Sequence, residues 1–387
     1  MTPGARVAAA IAVLDQIQEG AVAEQALTAW ARGSRFAGSK DRAAVRDHVF
    51  DVLRAKRSLG DGAGRSLMQR LALREGWDLD ALFSGEGHAP APLSAAEKAS
   101  LATPMDQADA VRCDVPDWLW PIWQQSLGDQ AVQAALVQQG RAKVFLRVNQ
   151  RKGPVAQATA ALADDGIGVV THPTVSGCLR VTDNPRRVKT CKAYLNGLVE
   201  LQDAASQQAV QKTAAPDGAR ILDYCAGGGG KALAFADIHK EASVFAHDIA
   251  PQRLRDLPER AARAGVNIAI LPTAQLAEQP KFDVVFCDAP CSGSGTWRRT
   301  PDAKWRLTAD RLDALKQAQA EVLAGAAPLV AAGGTLIYAT CSVLRDENDI
   351  AVQSFMARNP EWGMSHQNQR LPDTDGDGFY TCVLTRA

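Results

Sequence analysis

The sequence has 387 residues, 46% of them hydrophobic and 22% charged, with 43 basic and 43 acidic side chains and a formal net charge of zero. That length suffices for two or three domains with cores of their own, and the composition excludes a disordered or fibrous chain. The balanced charge leaves nucleic-acid contact to local clusters, and eight cysteines without a CxxC pair exclude a disulfide scaffold and speak against a zinc site.

Residues 1–140 are predicted to form a helical domain. The opening MTPGARVAAAIAVLDQIQEG places acidic and polar residues where a secretory signal would continue its apolar run. With reduced thiols, this predicts a cytoplasmic protein. Val45, Val49, Val52 and Leu53 recur at helical spacing. Residues 141–200 read as a small α/β subdomain: FLRVN, IGVV and GCLRV are strand-like, and VAQATAALADDG is helical. Between positions 141 and 192, ten Lys or Arg stand against three Asp. Such an excess suits RNA phosphates as well as a solvated surface.

Over residues 201–387 strands and helices alternate. RILDYCA, SVFAHDI, NIAIL, FDVVFCD and TLIYAT are predicted strands, a long amphipathic helix is predicted over 308–332, and GFYTCVLTR supplies a hairpin partner at the sheet edge. Repeated βα units predict a doubly wound, mostly parallel sheet with ligands beyond the C-terminal strand ends. The apolar stretch 322–340 is interrupted by Pro328 and Gly333-Gly334, so it reads as helix, turn and buried strand, with no membrane span.

The run Asp223-Tyr-Cys225-Ala226-Gly227-Gly228-Gly229-Gly230-Lys231 marks a strand-to-helix turn whose glycines let backbone approach a ligand. It is no P-loop, because Ala232 follows Lys231 and Cys225 stands where that loop needs its first glycine. Asp248, at the end of the second strand, can accept hydrogen bonds from both hydroxyls of a ribose. Together these features favour an adenosyl ligand.

Asp288-Ala-Pro-Cys291-Ser-Gly-Ser-Gly295 follows the fourth strand and Thr340-Cys341-Ser342 the fifth, so two thiols converge on one crevice. A lone strand-end cysteine is ordinarily a small apolar packing residue. Cys291, in a Pro/Gly/Ser turn, and Cys341, between hydroxyl residues, fit that less well. Thiols suit cytosine chemistry: C5 is a poor nucleophile until a thiolate adds at C6 and makes the ring an enamine. A carboxyl near N3 and the exocyclic amine, a role suited to Asp288, would stabilise the adduct. A free thiol titrates at about 8.5, so the nucleophile needs local activation. The base must also be unstacked to be reached.

At these residues DAPCSGSGTWRRTPDAKW and TLIYATCSVLRDEN resemble the fourth and sixth motifs of the RsmB/Sun (Fmu) family of RNA 5-methylcytosine methyltransferases. FLRVN and LVELQDAASQQAV are similar to segments preceding that family's cofactor domain, and residues 1–140 to its NusB-like helical domain, which implies an RNA-binding role for them. The resemblance implies a Rossmann-like class I methyltransferase, with S-adenosyl-L-methionine as cofactor and RNA as partner. It implies Cys341 as the nucleophile on C6 and Cys291 as the residue that assists product release. Asp288 would hold the cytosine edge. Cys225, Ala226, Gly227, Gly228, Gly229, Gly230, Lys231, Asp248, Arg253 and Asp288 would bind the cofactor. Arg147, Arg298, Arg299 and Lys304, in the family-like segments, are the expected RNA contacts. DNA cytosine-5 methyltransferases use the PC cysteine as nucleophile, so the TCS motif argues for RNA.

Two features depart from the family pattern. Gly227-Gly228 replace an Ala-Pro, and LPTAQ after the third strand lacks the acidic residue often found near adenine. The NusB-like region favours 16S ribosomal RNA over transfer RNA. A non-catalytic ribosome-assembly factor is disfavoured by the retained cysteines, Asp288 and glycine turn; a protein-glutamine or adenine acceptor is disfavoured by DAPCSG on the fourth strand. A monomer without metal or membrane attachment is expected. Residues 373–378 mimic an EF-hand start, yet Leu384 stands at the twelfth position, so a turn into the last hairpin is predicted.

Overall fold

A computed structural model of the chain describes every residue except 61, 105–107 and 387. The chain divides into two compact units: Met1–Arg141 with Trp297–Leu307, and Ala142–Thr296 with Thr308–Ala387.

In the first unit the helices Pro3–Gln18, Ala23–Gly33, Ser39–Arg54 and Gly64–Arg74 surround a core that includes Val7, Leu14, Val49, Leu67 and Met68. The opening helix starts where Thr2 accepts from the backbone of Ala5 and Pro3 occupies the first turn, a position that needs no amide donor. The stripe Val45, Val49, Val52 and Leu53 lies wholly in the core. This unit is not contiguous in sequence. Residues 297–307, expected within the methyltransferase domain, belong to it. Trp297 is buried and stacks on Trp123 with ring centroids 5.7 Å apart. Trp305 Nε1 donates to the Leu53 carbonyl at 2.6 Å, and Arg54 Nε to the Arg298 carbonyl at 2.8 Å.

The second unit holds two sheets. The smaller contains β1 (Phe145–Val148), β2 (Val169–Thr171), β3 (Cys178–Val181) and β4 (Val199–Leu201) in the order β2-β3-β1-β4, all antiparallel. The larger contains β5 (Arg220–Asp223), β6 (Ser243–Ala246), β7 (Ala269–Ile270), β8 (Phe282–Asp288), β9 (Val330–Thr340), β10 (Trp362–Arg370) and β11 (Phe379–Arg386). Its order is β10-β11-β9-β8-β5-β6-β7, parallel from β9 to β7 and antiparallel around β11. Alternate residues serve opposite faces, as the strand period of two requires. Ile221, Val284, Phe286 and Ile337 pack with Leu233, Phe235 and Leu257, while Leu222, Val285, Leu336 and Tyr338 pack with Leu323, Val352 and Phe355. Both faces are therefore covered, which gives the Rossmann-like, doubly wound arrangement.

Two elements differ from the sequence reading. The long helix spans Ala309–Ala326 and stops short of 332, because Pro328 follows and β9 begins at Val330. The tail strand β11 is internal; β10 forms the edge, and a turn with a bridge between Asp373 and Gly376 joins the two. Strand order reverses at β5, whose neighbours are β6 and β8. A ligand crevice is expected outside the C-terminal ends of such strands.

Candidate active site

The turn after β5 is held open by glycine and closed by carboxylates. Gly229 has φ +78°, and a Cβ there would lie 2.3 Å from Leu257 Cδ1, so only glycine satisfies both the backbone and its neighbour. The first amides of the following helix, Gly230–Ile238, have no carbonyl within the helix to pair with, and Asp223 Oδ2 accepts from one of them, Ala232 N, at 3.0 Å. Asp223 Oδ1 is buried with no partner among the described residues. Burial, against the pull of the Lys231 ammonium, pushes this carboxyl up to about 7. Asp248 is buried, accepting from Gly227 N at 2.8 Å and Arg253 Nη1 at 3.0 Å on Oδ2, and from Ala250 N at 2.9 Å on Oδ1. Arg253 keeps 58% of its side chain exposed. Arg260, which the sequence reading passed over, donates to the Gly228 carbonyl from the helix Leu257–Ala264. Its only signal was a cation on an amphipathic helix facing the turn.

Lys231 turns away from the glycines. Its Nζ sits 2.5 Å from Asp288 Oδ2 and 5.3 Å from the centroid of Phe379. Burial opposes its charge, but Asp288, Asp223 and Cys341 outweigh that and hold the ammonium above the usual lysine range. A fixed cation thus faces both Asp288 and the Cys341 thiol. Cys341 Sγ and Cys291 Sγ are 3.4 Å apart. The hydrogen bond with Cys341, with burial added, keeps Cys291 protonated well above the ordinary thiol range. No disulfide joins the eight cysteines; Cys225, Cys291 and Cys341 are partly exposed and the other five buried.

The two cysteine loops are fastened by a group that the sequence reading did not single out. Glu347 is fully buried. Its Oε1 accepts from Ser292 N at 2.8 Å and Gln319 Nε2 at 3.0 Å; its Oε2 accepts from the hydroxyls of Ser292 and Ser342, each at 2.5 Å. Ser294 Oγ adds a 2.9 Å contact to Ser342 Oγ and accepts from Val343 N at 2.9 Å. One carboxylate therefore sets the spacing between Cys291 and Cys341 through their neighbouring serines. The acidic residue was visible in TCSVLRDEN, but its partners lie across a fold that spacing does not reveal.

Three expected RNA contacts are built into the fold instead of being offered to a ligand. Arg147 is buried, 2.5 Å from Asp237 Oδ2, and ties β1 to the helix behind the glycine turn. Arg298 is buried beside its tryptophan, and Lys304 is buried, which pushes its ammonium down to about 8 against the pull of Asp114. Arg299 remains partly exposed. The basic excess of the small sheet surfaces instead at Arg186, Arg187, Lys189 and Lys192, all exposed. Among the described residues, no group of three or more His, Cys, Asp or Glu could hold a metal ion, and no helix is long and apolar enough to cross a membrane.

Residues 211–383 match the family model described as 16S rRNA methyltransferase RsmB/F, and residues 115–189 match the RsmF/B-like ferredoxin-like domain. Ribosomal RNA small subunit methyltransferase B of Salmonella arizonae is 33% identical over 285 residues, which cover 70% of this chain and 66% of that protein. The protein of the same name from Klebsiella pneumoniae subsp. pneumoniae is 34% identical over the same shares. The chain thus matches 66% of the length of these curated relatives. Its fold is similar throughout to the crystal structure of PH0851, with TM-score 0.77 and 20% identity over 100% of this chain and 99% of the other.

Proposed function

The chain belongs to the RsmB/F family of methyltransferases, and from that premise we propose that it methylates C5 of a cytosine in 16S ribosomal RNA using S-adenosylmethionine. The observation that carries the reading is the pair of thiols 3.4 Å apart beside the Lys231–Asp288 ion pair. Neither a structural cysteine nor an adenine- or glutamine-methylating site requires two adjacent thiols.

The residues around the glycine turn fit the cofactor. Asp223 Oδ1 is a buried acceptor with no partner among the described residues, and Gly229 holds the turn in a left-handed conformation in which a Cβ would strike the buried Leu257. Asp223, Gly227, Gly229, Asp248 and Arg253 would hold the cofactor; when bound, it supplies an electrophilic methyl group on a sulfonium.

Cys341 Sγ, as thiolate, adds to C6 and gives a covalent adduct with electron density at C5. The Lys231 ammonium favours that thiolate, because a cation in a partly desolvated site stabilises nearby negative charge. Asp288, oriented by Lys231, meets the N3 and amine edge of the ring. After C5 has received the methyl group it still carries its proton. That proton passes to water, and the C–H electron pair re-forms the C5–C6 double bond as the Cys341 thiolate leaves. Cys291 holds a proton next to the departing Cys341 sulfur and returns it to the thiolate. The hydrogen bond with Cys341 and burial keep Cys291 protonated, which suits a helper, and the TCS motif supports Cys341 as nucleophile. Exposed Arg186, Arg187, Lys189 and Lys192 offer phosphate contacts on the same unit.

Two measurements test this reading. Bisulfite sequencing of stable RNA from a deletion strain should lose one or more methylated cytosines that the parent has; an unchanged pattern would sink the substrate class. In vitro, Cys291→Ala should accumulate a protein–RNA adduct stable in denaturing gels, and Cys341→Ala none. The opposite result would reverse the two roles.

A further inference from the structure

We infer that His247 is a positioning residue for the cofactor: its ring fixes the Thr273 hydroxyl as an acceptor for the 6-amino group of adenine, a contact that LPTAQ cannot make with a carboxylate. The inference rests on the proposed use of S-adenosylmethionine and names how this chain selects the base.

His247 directly follows β6 and is 2% exposed. Its backbone is tied to the turn after β5: its N–H donates to the Asp223 carbonyl and its carbonyl accepts from Ala226 N, each at 2.9 Å. Its ring lies against that of Tyr224, with centroids 4.8 Å apart. Nδ1 is 2.7 Å from the Tyr224 carbonyl oxygen, and Nε2 is 2.9 Å from Thr273 Oγ1. A carbonyl can only accept, so Nδ1 carries a proton. In the neutral ring Nε2 is then bare and accepts from the Thr273 hydroxyl. With its own proton directed at His247, Thr273 Oγ1 meets a further partner as an acceptor. Thr273 is exposed, and His247 is its only side-chain hydrogen-bond partner among the described residues.

The place of Thr273 suits the base of a nucleoside held at Asp248. β5, β6 and β7 are parallel neighbours, so their C-terminal ends stand side by side, about 4.8 Å apart. The glycine turn after β5 lies on one side of Asp248 and is bonded to it through Gly227 N. A ribose on Asp248 with its sulfonium arm over that turn directs its base to the β7 side, where Thr273 opens the next turn. Ile249, directly after Asp248, is 85% exposed. So bare an aliphatic side chain offers a surface that a purine ring would cover. An acceptor beside that surface distinguishes an amino from a keto purine. A keto oxygen would face lone pairs, or draw the hydroxyl proton away and leave Nε2 unpaired.

The test titrates the full chain calorimetrically with S-adenosylhomocysteine and with S-inosylhomocysteine, which carries a keto oxygen in place of the amine. The unaltered chain should bind the adenosyl ligand at least about tenfold more tightly. His247→Phe keeps a buried ring and loses both nitrogens. The freed hydroxyl can then turn its proton to the keto oxygen, and the affinity ratio should fall at least about threefold. Thr273→Val should lower the ratio similarly, and Thr273→Ser should restore it. The N1 proton that also differs between the ligands is common to every variant, so the change in ratio reports position 6. A purely structural brace would weaken both ligands alike. Equal binding of the two ligands by the unaltered chain, or a ratio unchanged in His247→Phe or Thr273→Val, overturns the inference. Thr273→Val, at an exposed position, tests the same bond should His247→Phe not fold. Nitrogen-15 spectra of the unaltered chain need no variant: His247 should carry its proton on Nδ1, and a ring protonated on Nε2 alone would refute the assignment. If the unaltered chain binds neither ligand, the cofactor reading falls and the inference with it; binding with unchanged ratios sinks the inference alone.

Discussion

Glu347 accepts four hydrogen bonds from groups on both cysteine loops and on the helix Ala309–Ala326. Its removal strands buried donors, each costing about 1–3 kcal/mol. Glu347→Ala should therefore lower the melting temperature and reduce methyl transfer about 100-fold, because displacement of reacting groups by an ångström costs that much. Glu347→Gln keeps the shape and one acceptor, and should restore most of the rate. Equal losses in both variants would show that negative charge, not loop spacing, is what Glu347 supplies. Asp223 gives a prediction in pH. Its carboxyl ordinarily titrates at 3.8, and burial raises it to about 7 in the fold. Between those values the folded chain keeps a proton that the unfolded chain has released, so this group's contribution to stability falls as pH rises through the window. Asp223→Asn should flatten that part of the stability profile in urea titrations at pH 4–7. A cationic ligand at the turn would favour the ionised carboxylate. Calorimetry should accordingly show S-adenosylmethionine affinity rising with pH up to about 7, with proton release, and both trends absent in Asp223→Asn.

In the proposed function, the β5 turn and its glycines are the element on which cofactor affinity would depend. Gly229→Ala forces a side chain into left-handed backbone, at about 1–2 kcal/mol, and drives Cβ against Leu257. Calorimetry should show S-adenosylmethionine bound at least about tenfold more weakly, one decade being about 1.4 kcal/mol. Adding Leu257→Ala removes the collision but not the backbone strain, so recovery should be partial. Elements of this kind were legible in the sequence for a physical reason. The central stretches of β5, β8 and β9 (Ile221-Leu222, VVFC and LIYA) are buried on both faces, which writes them as apolar runs, and each is followed by a polar residue or turn. The edge strand β10 carries WGMSHQNQR, of which only Trp362 is buried. Backbone pairing with β11 on one side sustains it, and side-chain pattern records no such pairing. Cys291, Cys341 and Asp288 were readable for the same reason as the strands whose ends they mark. The Glu347 contacts were not, because they depend on how two loops about fifty residues apart come to face each other.

At the scale of the whole molecule, the chain leaves its methyltransferase fold directly after the Cys291 loop, contributes 297–307 to the helical unit, and returns at Thr308. Composition alone hid this excursion, since a boundary at residue 140 follows the change from helical to strand-like sequence and nothing local announces a return. The clue was WRRTPDAKW itself. Two tryptophans in a loop carry more apolar area than a loop can leave in water, so they require a core, and the core they enter is that of the first 141 residues. Trp297 stacks on Trp123, and both are almost wholly buried. Loss of a buried tryptophan costs about 3–5 kcal/mol, a large share of the stability of a domain this size. A fragment ending at residue 141 should therefore unfold at a clearly lower urea concentration than the same unit in the full chain, with Trp123 exposed to fluorescence quenchers. A synthetic peptide spanning 296–308, added in trans, should raise that midpoint and protect Trp123, whereas the same peptide with Trp297→Ala should do neither. If the fragment alone matches the full chain in midpoint and quenching, the excursion is a surface strap and contributes nothing to the helical core.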